Sequence, residues 1–252
     1  MIEILILSLV QGITEFLPVS SSSHLILISE YFEFKNQNLS IDVSLHIGSF
    51  FAVIVFFKEE IFDFVKNKKL LIKVVISSIP TLIVGFILIK YNLIEKIRNL
   101  EVIAWTTIMF AILLYISDKF DLSKRVDNDF TIKSAIIIGI FQILSLIPGV
   151  SRSGITITAA RFLKFKRYDS AKISFLLSIP TLAVISIYGL KNSIDTGNLN
   201  FSVTNLTSII LSFIISYLTI KFFLNFLMKF SLNIFVIYRI ILGASLLIIF
   251  YS

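Results

Sequence analysis

The chain has 252 residues, of which 56% are hydrophobic and 15% are charged. Its mean hydropathy of +0.93 excludes an ordinary water-soluble domain and is typical of a protein that lies mostly in lipid. Its net charge of +7 predicts no nucleic-acid partner, because membrane proteins concentrate Lys and Arg in cytoplasmic loops and against anionic lipid.

Six apolar stretches follow one another along the chain, each close to the roughly 20 residues that a helix needs to cross a bilayer. They lie at 41–57, 70–89, 101–117, 171–190, 204–220 and 233–251. Two other segments, 2–30 and 132–160, are also apolar but are interrupted by Pro, Gly and Ser. The sequence therefore predicts an all-α, polytopic integral membrane protein that forms one membrane domain, residues 1–252.

The distribution of Lys and Arg indicates how the two interrupted segments run. Four loops hold sixteen of these residues (58–73, 118–133, 161–172 and 221–232), and three loops hold five (31–40, 90–101 and 191–203). Loops 118–133 and 161–172 flank segment 132–160, so both are cytoplasmic only if that segment enters the membrane and turns back. Treating 2–30 in the same way predicts six crossing helices, two re-entrant helical hairpins and both termini outside.

The two hairpins would open from opposite sides, which is the arrangement of two inverted-topology repeats. The first repeat would be residues 1–117 and the second 132–252, joined by a basic connecting loop, 118–131. Internal similarities support this hypothesis. "FLPVSSSS" resembles "LIPGVSRSG", and "SIPTLIV" at 78–84 resembles "SIPTLAV" at 178–184.

Polar residues concentrate in the two interrupted segments. Non-helical backbone at membrane depth requires protein or a watery cavity to satisfy its N–H and C=O groups, and Pro18 and Pro148 would provide such breaks. The neighbouring serines can act as helix caps. Capping does not explain Glu15, His24 and Arg152, because an ionisable group in the hydrocarbon costs about 2.5–3.5 kcal/mol on insertion scales and normally faces a partner inside the bundle.

The second interrupted segment has the features of an anion site. Arg152 lies between Ser151 and Ser153, directly behind Pro148 and Gly149. Glycine lets backbone approach a ligand closely, and a helix that begins near Ser151 would direct its N–H groups and its positive dipole end at an anion. Arg152 adds a guanidinium fork that suits phosphate.

Gln11 and Glu15 are spaced four residues apart and lie on one helical face. With a serine, an imidazole and the anion site, they suit phosphoryl transfer. The arginine neutralises phosphate oxygens, a serine attacks, His or Glu moves protons, and a cation bridges carboxylate and phosphate. A lipid or ion transporter with inverted repeats and a buried Glu–Arg pair would contain the same residues, so the residues alone leave both functions open.

Four stretches, "QGITEFLPVSSSSH", "PGVSRSGITIT", "SFLLSIPT" and "FVIYRIILG", together resemble the undecaprenyl-pyrophosphate phosphatase family of the bacitracin-resistance type. The resemblance covers nearly the whole chain, with the motifs in the family's order. It implies a membrane phosphatase that hydrolyses undecaprenyl (polyprenyl) diphosphate to the monophosphate and inorganic phosphate. In that family the reaction takes place on the outer face of the bacterial inner membrane and recycles the lipid carrier of cell-wall peptidoglycan synthesis.

The resemblance also implies roles for individual residues. The implied catalytic residues are Glu15, Ser21, His24 and Arg152, and the implied substrate-binding residues are Gln11, Ser22, Gly149, Ser151, Ser153, Gly154 and Thr156. Glu15 would hold a divalent cation, Mg²⁺ or Ca²⁺. The chain departs from the family at two places: Gln11 is uncharged, and Ser22-Ser23 replaces a Thr-Gly pair in front of His24.

Several alternatives stay open at this point. Either Ser21 or His24 is the nucleophile, and the chain is a monomer or a homodimer. The preferred isoprenoid length and any movement of the lipid monophosphate across the membrane stay open as well. His46 is expected to be a core histidine, with a role in the cavity as the alternative. Arg239 is expected to bind a backbone carbonyl or an acid.

Overall fold

The structure is a computed structural model that describes residues 2–32, 34, 38–66, 68–91, 93, 97, 99–120, 123–195 and 202–251. In chain order the helices within these ranges are α1 (Ile2–Thr14), α2 (Ser21–Phe32), α3 (Leu39–Phe56), α4 (Lys58–Lys66), α5 (Lys68–Lys90), α6 (Leu100–Asp118), α7 (Val126–Asp129), α8 (Ile132–Ile143), α9 (Arg152–Phe162), α10 (Arg167–Asp195), α11 (Val203–Leu227) and α12 (Asn233–Tyr251). A 3-10 turn, Leu144–Leu146, extends α8. Across the described ranges, extended backbone pairs only in an isolated bridge between Lys124 and Phe165.

Six of these helices are long and apolar enough to cross a membrane, namely α3, α5, α6, α10, α11 and α12. In α5 and α12 only 22% of the most apolar window is buried inside the protein, so most of their apolar side chains face outward. An outer surface of this kind requires lipid around it. The prediction of an all-α, polytopic membrane protein is confirmed, and each predicted crossing segment corresponds to one of these helices.

Polar caps fix where several helices begin. The side chains of Asn38 and Asn99 accept hydrogen bonds from backbone N–H groups three residues later, at 3.0 and 2.8 Å, at the starts of α3 and α6. Thr131, Ser151 and Ser202 cap α8, α9 and α11 in the same way. Each cap satisfies a backbone donor that helical geometry leaves without a partner. The capping hypothesis is thus confirmed for Ser151.

The basic loops of the sequence meet at one end of the bundle. This end is called the basic pole below and is formed by the described residues of loops 58–73, 118–133, 161–172 and 221–232. Lys172 Nζ lies 3.0 Å from Glu60 Oε1, which joins the start of α10 to α4. Leu232 N donates to Asp118 Oδ2 at 3.1 Å, which joins the start of α12 to the end of α6. The loops that the charge count assigned to one side therefore lie together.

Segment 132–160 begins and ends at the basic pole. Lys124, ahead of α8, pairs with Phe165, behind α9, in the isolated bridge, and its N–H donates to Lys164 O at 3.1 Å. Between these ends the chain runs through α8, the 3-10 turn and a break at Pro148 before α9 begins. The return of the chain agrees with the charge count, whereas its entry into a bilayer stays a prediction.

Helix packing bears on the predicted repeat. α1 packs against α11, and α8, the expected counterpart of α1, packs against α5, the expected counterpart of α11. The two "SIPT" stretches do not follow this scheme, because Pro80 lies in α5 whereas Pro180 lies in α10, the expected counterpart of α3. Their similarity therefore gives no support to the repeat. The repeat and its bounds, 1–117 and 132–252, stay predictions.

Aromatic packing anchors the first interrupted segment to the core. Phe16 is fully buried and meets Phe175 of α10 edge to face, with ring centroids 5.3 Å apart. Phe175 also packs against Phe57 and Phe223. Full burial of a Phe side chain stabilises a fold by about 1.5–3 kcal/mol, so Phe16 fixes the backbone directly after Glu15.

Candidate active site

The two interrupted segments meet at their breaks. The first turn, residues 15–20, joins α1 to α2, and the second turn, residues 147–151, leads into α9. Ser153 Oγ, near the start of α9, donates to Leu17 O in the first turn at 2.7 Å. The two turns are therefore in direct contact inside the bundle.

Arg239 of α12 holds both turns. Its side chain is fully buried, and its guanidinium donates to Pro18 O at 3.3 Å, to Gly149 O at 3.0 Å and to Val150 O at 3.1 Å. Three backbone carbonyls that lie outside regular helix, inside an apolar bundle, thus accept hydrogen bonds from one guanidinium. The expectation that Arg239 binds a backbone carbonyl is confirmed.

The two turns share a backbone feature. Ser20 has a φ of 78° and Ser151 a φ of 70°, values that residues other than glycine adopt rarely and that cluster at functional sites. A helix follows each serine directly, so Ser21 is the first residue of α2 and Arg152 the first residue of α9. Both side chains therefore lie at helix N-termini, where the dipole favours negative charge.

Glu15 joins the two helix starts. Ser21 Oγ donates to Glu15 Oε2 at 2.6 Å, and Arg152 Nη2 forms an ion pair with Glu15 Oε1. Gln11 Nε2, one helical turn earlier in α1, donates to Glu15 Oε2 at 3.1 Å. Glu15 is only 7% exposed, so these donors replace the water that a carboxylate otherwise needs. One buried carboxylate thus contacts a hydroxyl and a guanidinium.

His46 enters the site from α3. Its Nδ1 lies 2.8 Å from Gln11 Nε2 and 4.0 Å from Glu15 Oε2. The amide nitrogen of Gln11 faces the Glu15 carboxylate, because an amide oxygen there would repel it. His46 Nδ1 consequently accepts the hydrogen bond from Gln11, and the ring proton lies on Nε2. His46 thus contacts Gln11 at the candidate site, and its role there stays a prediction.

His24 contacts a different set of partners. Its Nδ1 donates to Ser20 O at 2.7 Å, which leaves Nε2 to accept a hydrogen bond from Tyr238 OH at 2.6 Å. The His24 and Tyr238 rings stack with centroids 5.7 Å apart. Both nitrogens of His24 therefore hydrogen-bond to Ser20 and Tyr238, and neither hydrogen-bonds to Ser21. Sequence reasoning missed Tyr238, whose single signal is its place beside Arg239 in "FVIYRIILG".

The chain matches the family described as bacitracin resistance protein BacA over residues 4–245. The chain belongs to this family. It is 52% identical over 253 residues to a Pelagibacter ubique (strain HTCC1062) protein named undecaprenyl-diphosphatase, with 100% of this chain and 98% of that protein covered. Proteins of the same name from Campylobacter curvus and Hahella chejuensis are 42% and 40% identical, with 99% of this chain and 98% of each relative covered. Together with the six apolar helices, these relatives identify a multi-pass bacterial membrane protein.

Several residues of the second motif hold α9 in this BacA-family chain. Ser151 Oγ accepts a hydrogen bond from Gly154 N at 3.1 Å. Thr156 is fully buried, and its Oγ1 lies 2.7 Å from Ser174 Oγ in α10. Ser153 binds the first turn as described above. The structure thus brings these residues to the start of α9, and their predicted contacts with a substrate stay predictions.

Gly149 is required for a reason that the sequence did not indicate. Its φ is +89°, and an added Cβ would lie 2.6 Å from Ile103 O and against Thr106 Oγ1 in α6. The close approach that glycine permits is therefore an approach to α6. A substrate contact of Gly149 stays a prediction, as does that of Ser22, whose side chain lies outside the described part of the structure.

Glu15 and Gln11 carry the oxygen atoms with which a divalent cation at this site would be held. Among the described residues, no group of three or more His, Cys, Asp or Glu side chains is arranged to hold a metal ion. Gln11 Oε1 is buried and has no hydrogen-bond partner in the described part of the chain. Mg²⁺ keeps several waters and takes one or two protein carboxylates plus substrate phosphates, so these oxygens suit it together with a phosphate group. The metal-binding role of Glu15 stays a prediction.

Proposed function

We propose that this chain hydrolyses undecaprenyl (polyprenyl) diphosphate to the monophosphate and inorganic phosphate. The observation that carries the proposal is the contact of one buried carboxylate, Glu15, with both the Ser21 hydroxyl and the Arg152 guanidinium. These groups supply a base, a nucleophile and a phosphate-binding cation in one site. The relatives named undecaprenyl-diphosphatase support a lipid diphosphate as the substrate.

In the first step Ser21 Oγ attacks the terminal phosphorus of the lipid diphosphate. Its hydroxyl donates to Glu15 Oε2 at 2.6 Å, so the carboxylate accepts the proton as the bond to phosphorus forms. Arg152 exchanges its contact with Glu15 for the non-bridging phosphate oxygens and neutralises their charge. The bond from the terminal phosphorus to the bridging oxygen breaks, and Glu15 passes its proton to the departing polyprenyl monophosphate.

In the second step water hydrolyses the phosphoserine. Glu15, again ionised, accepts a proton from the attacking water. The bond between phosphorus and Ser21 Oγ breaks, and Glu15 returns the proton to the serine oxygen. The products are inorganic phosphate and the starting form of the protein, so one carboxylate serves both steps and the protons balance.

Ser21 rather than His24 is the nucleophile in this proposal. Ser21 Oγ contacts the base directly, whereas the His24 nitrogens are engaged by Ser20 O and Tyr238 OH. His24 holds the carbonyl of the residue that precedes Ser21. Its predicted catalytic role thereby becomes a positioning role, in which the imidazole fixes where α2 begins.

A divalent cation, Mg²⁺ or Ca²⁺, would be held by the Glu15 carboxylate and by Gln11 Oε1. When bound, it supplies positive charge to the phosphate oxygens. His46 supports this arrangement because it accepts from Gln11 Nε2 and so leaves the amide oxygen free for a cation. Since Gln11 is uncharged, the negative charge of the site depends on Glu15.

The proposal also includes the bacterial inner membrane as the location and the outer side as the face on which the site opens. Sixteen of the twenty-one loop Lys and Arg residues belong to the basic pole, and short cytoplasmic loops collect such residues. Hydrolysis on the outer face would return the monophosphate to use as a cell-wall lipid carrier.

Thiol labelling of whole cells tests this orientation, because the chain contains no cysteine of its own. A membrane-impermeant reagent should label Lys191→Cys, outside the basic pole, and should not label Lys164→Cys, within it. Labelling of the second variant alone would put the site on the cytoplasmic side.

Phosphate release by the purified protein tests the function itself. In detergent, the wild-type chain should release inorganic phosphate from a polyprenyl diphosphate, and a chelator should stop the release. Glu15→Gln should release none, because the base and the cation ligand are lost together. Glu101→Gln, which removes an acid at the far end of α6 from the basic pole, is the matched control and should keep its activity. A transporter would release no phosphate in any of these samples.

A further inference from the structure

A polar pocket of about 380 Å³ lies at the basic pole. Its polar lining comes from Arg161 at the end of α9, from Arg167 and Tyr168 at the start of α10, and from Lys166 between the two helices. Phe120 and Met228 contribute an apolar wall. The pocket therefore combines cationic groups with an apolar surface.

The positive charge of this pocket is only partly balanced. The Asp118 carboxylate pairs with Arg161 Nη2 at 2.9 Å and with Arg167 Nε at 2.8 Å, so one acid serves two arginines. Lys166 is exposed, and its ammonium group has no ion pair or hydrogen bond with the described part of the chain. The single negative charge of Asp118 thus balances only one of the three positive charges at the pocket.

Arg167 has donors that remain free. Its Nε binds Asp118, its Nη1 and Nη2 have no hydrogen-bond partner among the described residues, and its side chain is 35% exposed. Burial lowers the pKa of the Arg161 guanidinium to about 10, against the raising effect of Asp118, so Arg161 also stays a cation at neutral pH. Exposed guanidinium donors such as those of Arg167 suit phosphate oxygens.

The apolar wall indicates the source of that anion. Phe120 is 49% exposed and Met228 is 61% exposed, and both lie at ends of membrane-crossing helices. If Arg167 and Lys166 hold a phosphate, the apolar chains attached to it are free to pack against this wall and the adjoining helix surfaces. Basic pockets between helices at the cytoplasmic side are typical binding sites for anionic lipid headgroups.

The pocket is separate from the candidate active site. Arg152 and Arg161 stand nine residues apart in α9, which is about 13 Å along a helix that rises 1.5 Å per residue. Asp118 binds Arg161 at the C-terminal end of α9, whereas Glu15 binds Arg152 at its N-terminal end. A ligand in this pocket would therefore not occupy the place of the diphosphate that reacts.

We propose that this pocket binds the phosphate group of an anionic phospholipid from the membrane leaflet at the basic pole. The chemistry it recognises is a phosphate ester with net negative charge. Lys166 and the Arg167 guanidinium provide the charge, the Tyr168 hydroxyl provides a further donor, and Phe120 and Met228 contact the lipid chains. Inorganic phosphate shares the polar part of this chemistry and lacks the apolar part.

Native mass spectrometry of the full chain in neutral detergent, titrated with phosphatidylglycerol, tests the proposal. The wild type should retain phosphatidylglycerol in preference to phosphatidylcholine. Lys166→Gln should weaken the apparent affinity about fivefold, as expected for one lysine near an anionic lipid. Lys164→Gln is the matched control, because Lys164 is also exposed and lies two residues away but outside the pocket lining.

The outcomes separate the alternatives. Equal weakening by both lysine variants would show a diffuse charge effect and overturn the proposal. Displacement of the lipid by inorganic phosphate at similar concentration would make the pocket a site for free phosphate and overturn the lipid assignment. Phosphate release from polyprenyl diphosphate in neutral detergent should be unchanged in both variants, which shows that they are folded and separates this proposal from the proposed activity.

Discussion

The two turns at the centre of the molecule share one backbone feature and differ in chemistry. Each contains a proline and ends in a valine and a serine with positive φ, and a helix begins at the next residue, although the second turn has Gly149 as an additional residue after its proline. The first turn thereby presents the hydroxyl of Ser21 to Glu15, and the second presents the guanidinium of Arg152 to the same carboxylate. One backbone arrangement thus directs a nucleophile and an anion-binding group at a common point.

The turns also differ in how they are held. The carbonyl of Pro148 in the second turn accepts a hydrogen bond from Thr106 of α6 at 2.6 Å, in addition to the neighbouring bonds from Arg239. The first turn is held by Arg239, by Ser153, a residue that follows the second turn, and by the packing of Phe16 against Phe175. The first turn thus depends on the second turn through Ser153, whereas the second turn is also bound to α6.

Removal of the hydroxyl that distinguishes the first turn should have the largest effect on activity. We expect Ser21→Ala to lower kcat by about 10³-fold or more, because the phosphoryl acceptor is lost. Ser23→Ala removes a hydroxyl from the same helix that contacts Ser20 rather than Glu15, and it should stay within a few-fold of wild type. Ser21→Ala with more than a tenth of wild-type turnover would exclude this serine as the nucleophile.

Replacement of the guanidinium that distinguishes the second turn should have the next largest effect on activity. Arg152→Lys keeps the charge and loses the fork that binds two phosphate oxygens, so kcat should fall by about 10²-fold. Steady-state kinetics with polyprenyl diphosphate measures this change. If lysine supports turnover close to that of arginine, Arg152 does not contact the phosphate directly.

Arg239 donates hydrogen bonds to both turns, so its replacement should weaken the support of both turns at once. Arg239→Met leaves the carbonyls of Pro18 and Val150 without the Arg239 donor and leaves Gly149 O with only the Thr107 hydroxyl at 3.4 Å, at about 1–3 kcal/mol for each unsatisfied group. The thermal unfolding midpoint should fall, and activity should fall about tenfold at a temperature where the protein is still folded. Arg239→Lys should restore part of both quantities. A normal midpoint for Arg239→Met would show that Arg239 does not support the turns.

Two conservative substitutions should distinguish the contributions of the two turns to activity. Tyr238→Phe removes the hydrogen bond to His24 and affects the first turn, whereas Thr106→Val removes the bond to Pro148 and affects the second. Each loses one hydrogen bond worth about 1 kcal/mol, so each should lower kcat by no more than about fivefold. The combined variant should show additive changes in free energy. Strong non-additivity would mean that the turns move as one unit.

The sequence predicted the long helices and the grouping of the basic loops because both depend on local composition. An apolar run of bilayer length specifies a crossing helix, and Lys and Arg mark the ends that share one side. The cap at Ser151 was also predictable, since a serine ahead of a helix accepts a hydrogen bond from a residue three positions later.

The contacts between distant helices were not predictable from composition. His46 reaches Gln11 from α3, and Tyr238 reaches His24 from α12, across 214 residues of sequence. Periodicity identifies the apolar face of a helix, but a helix that is apolar on all sides gives no signal for the face that meets a neighbour. The similarity of the two "SIPT" stretches was misleading for the same reason, because Pro80 and Pro180 belong to helices with different places in the fold.

Chemical trapping of the phosphorylated protein tests the central claim most directly. Glu15 contacts Ser21 Oγ and not His24, so rapid acid quenching during turnover, followed by peptide mass spectrometry, should find phosphate on Ser21. The modification should be absent from Ser21→Ala and from samples without substrate. Phosphate on His24, or isotope-labelled water that enters inorganic phosphate in a single step with no phosphorylated peptide, would contradict the account.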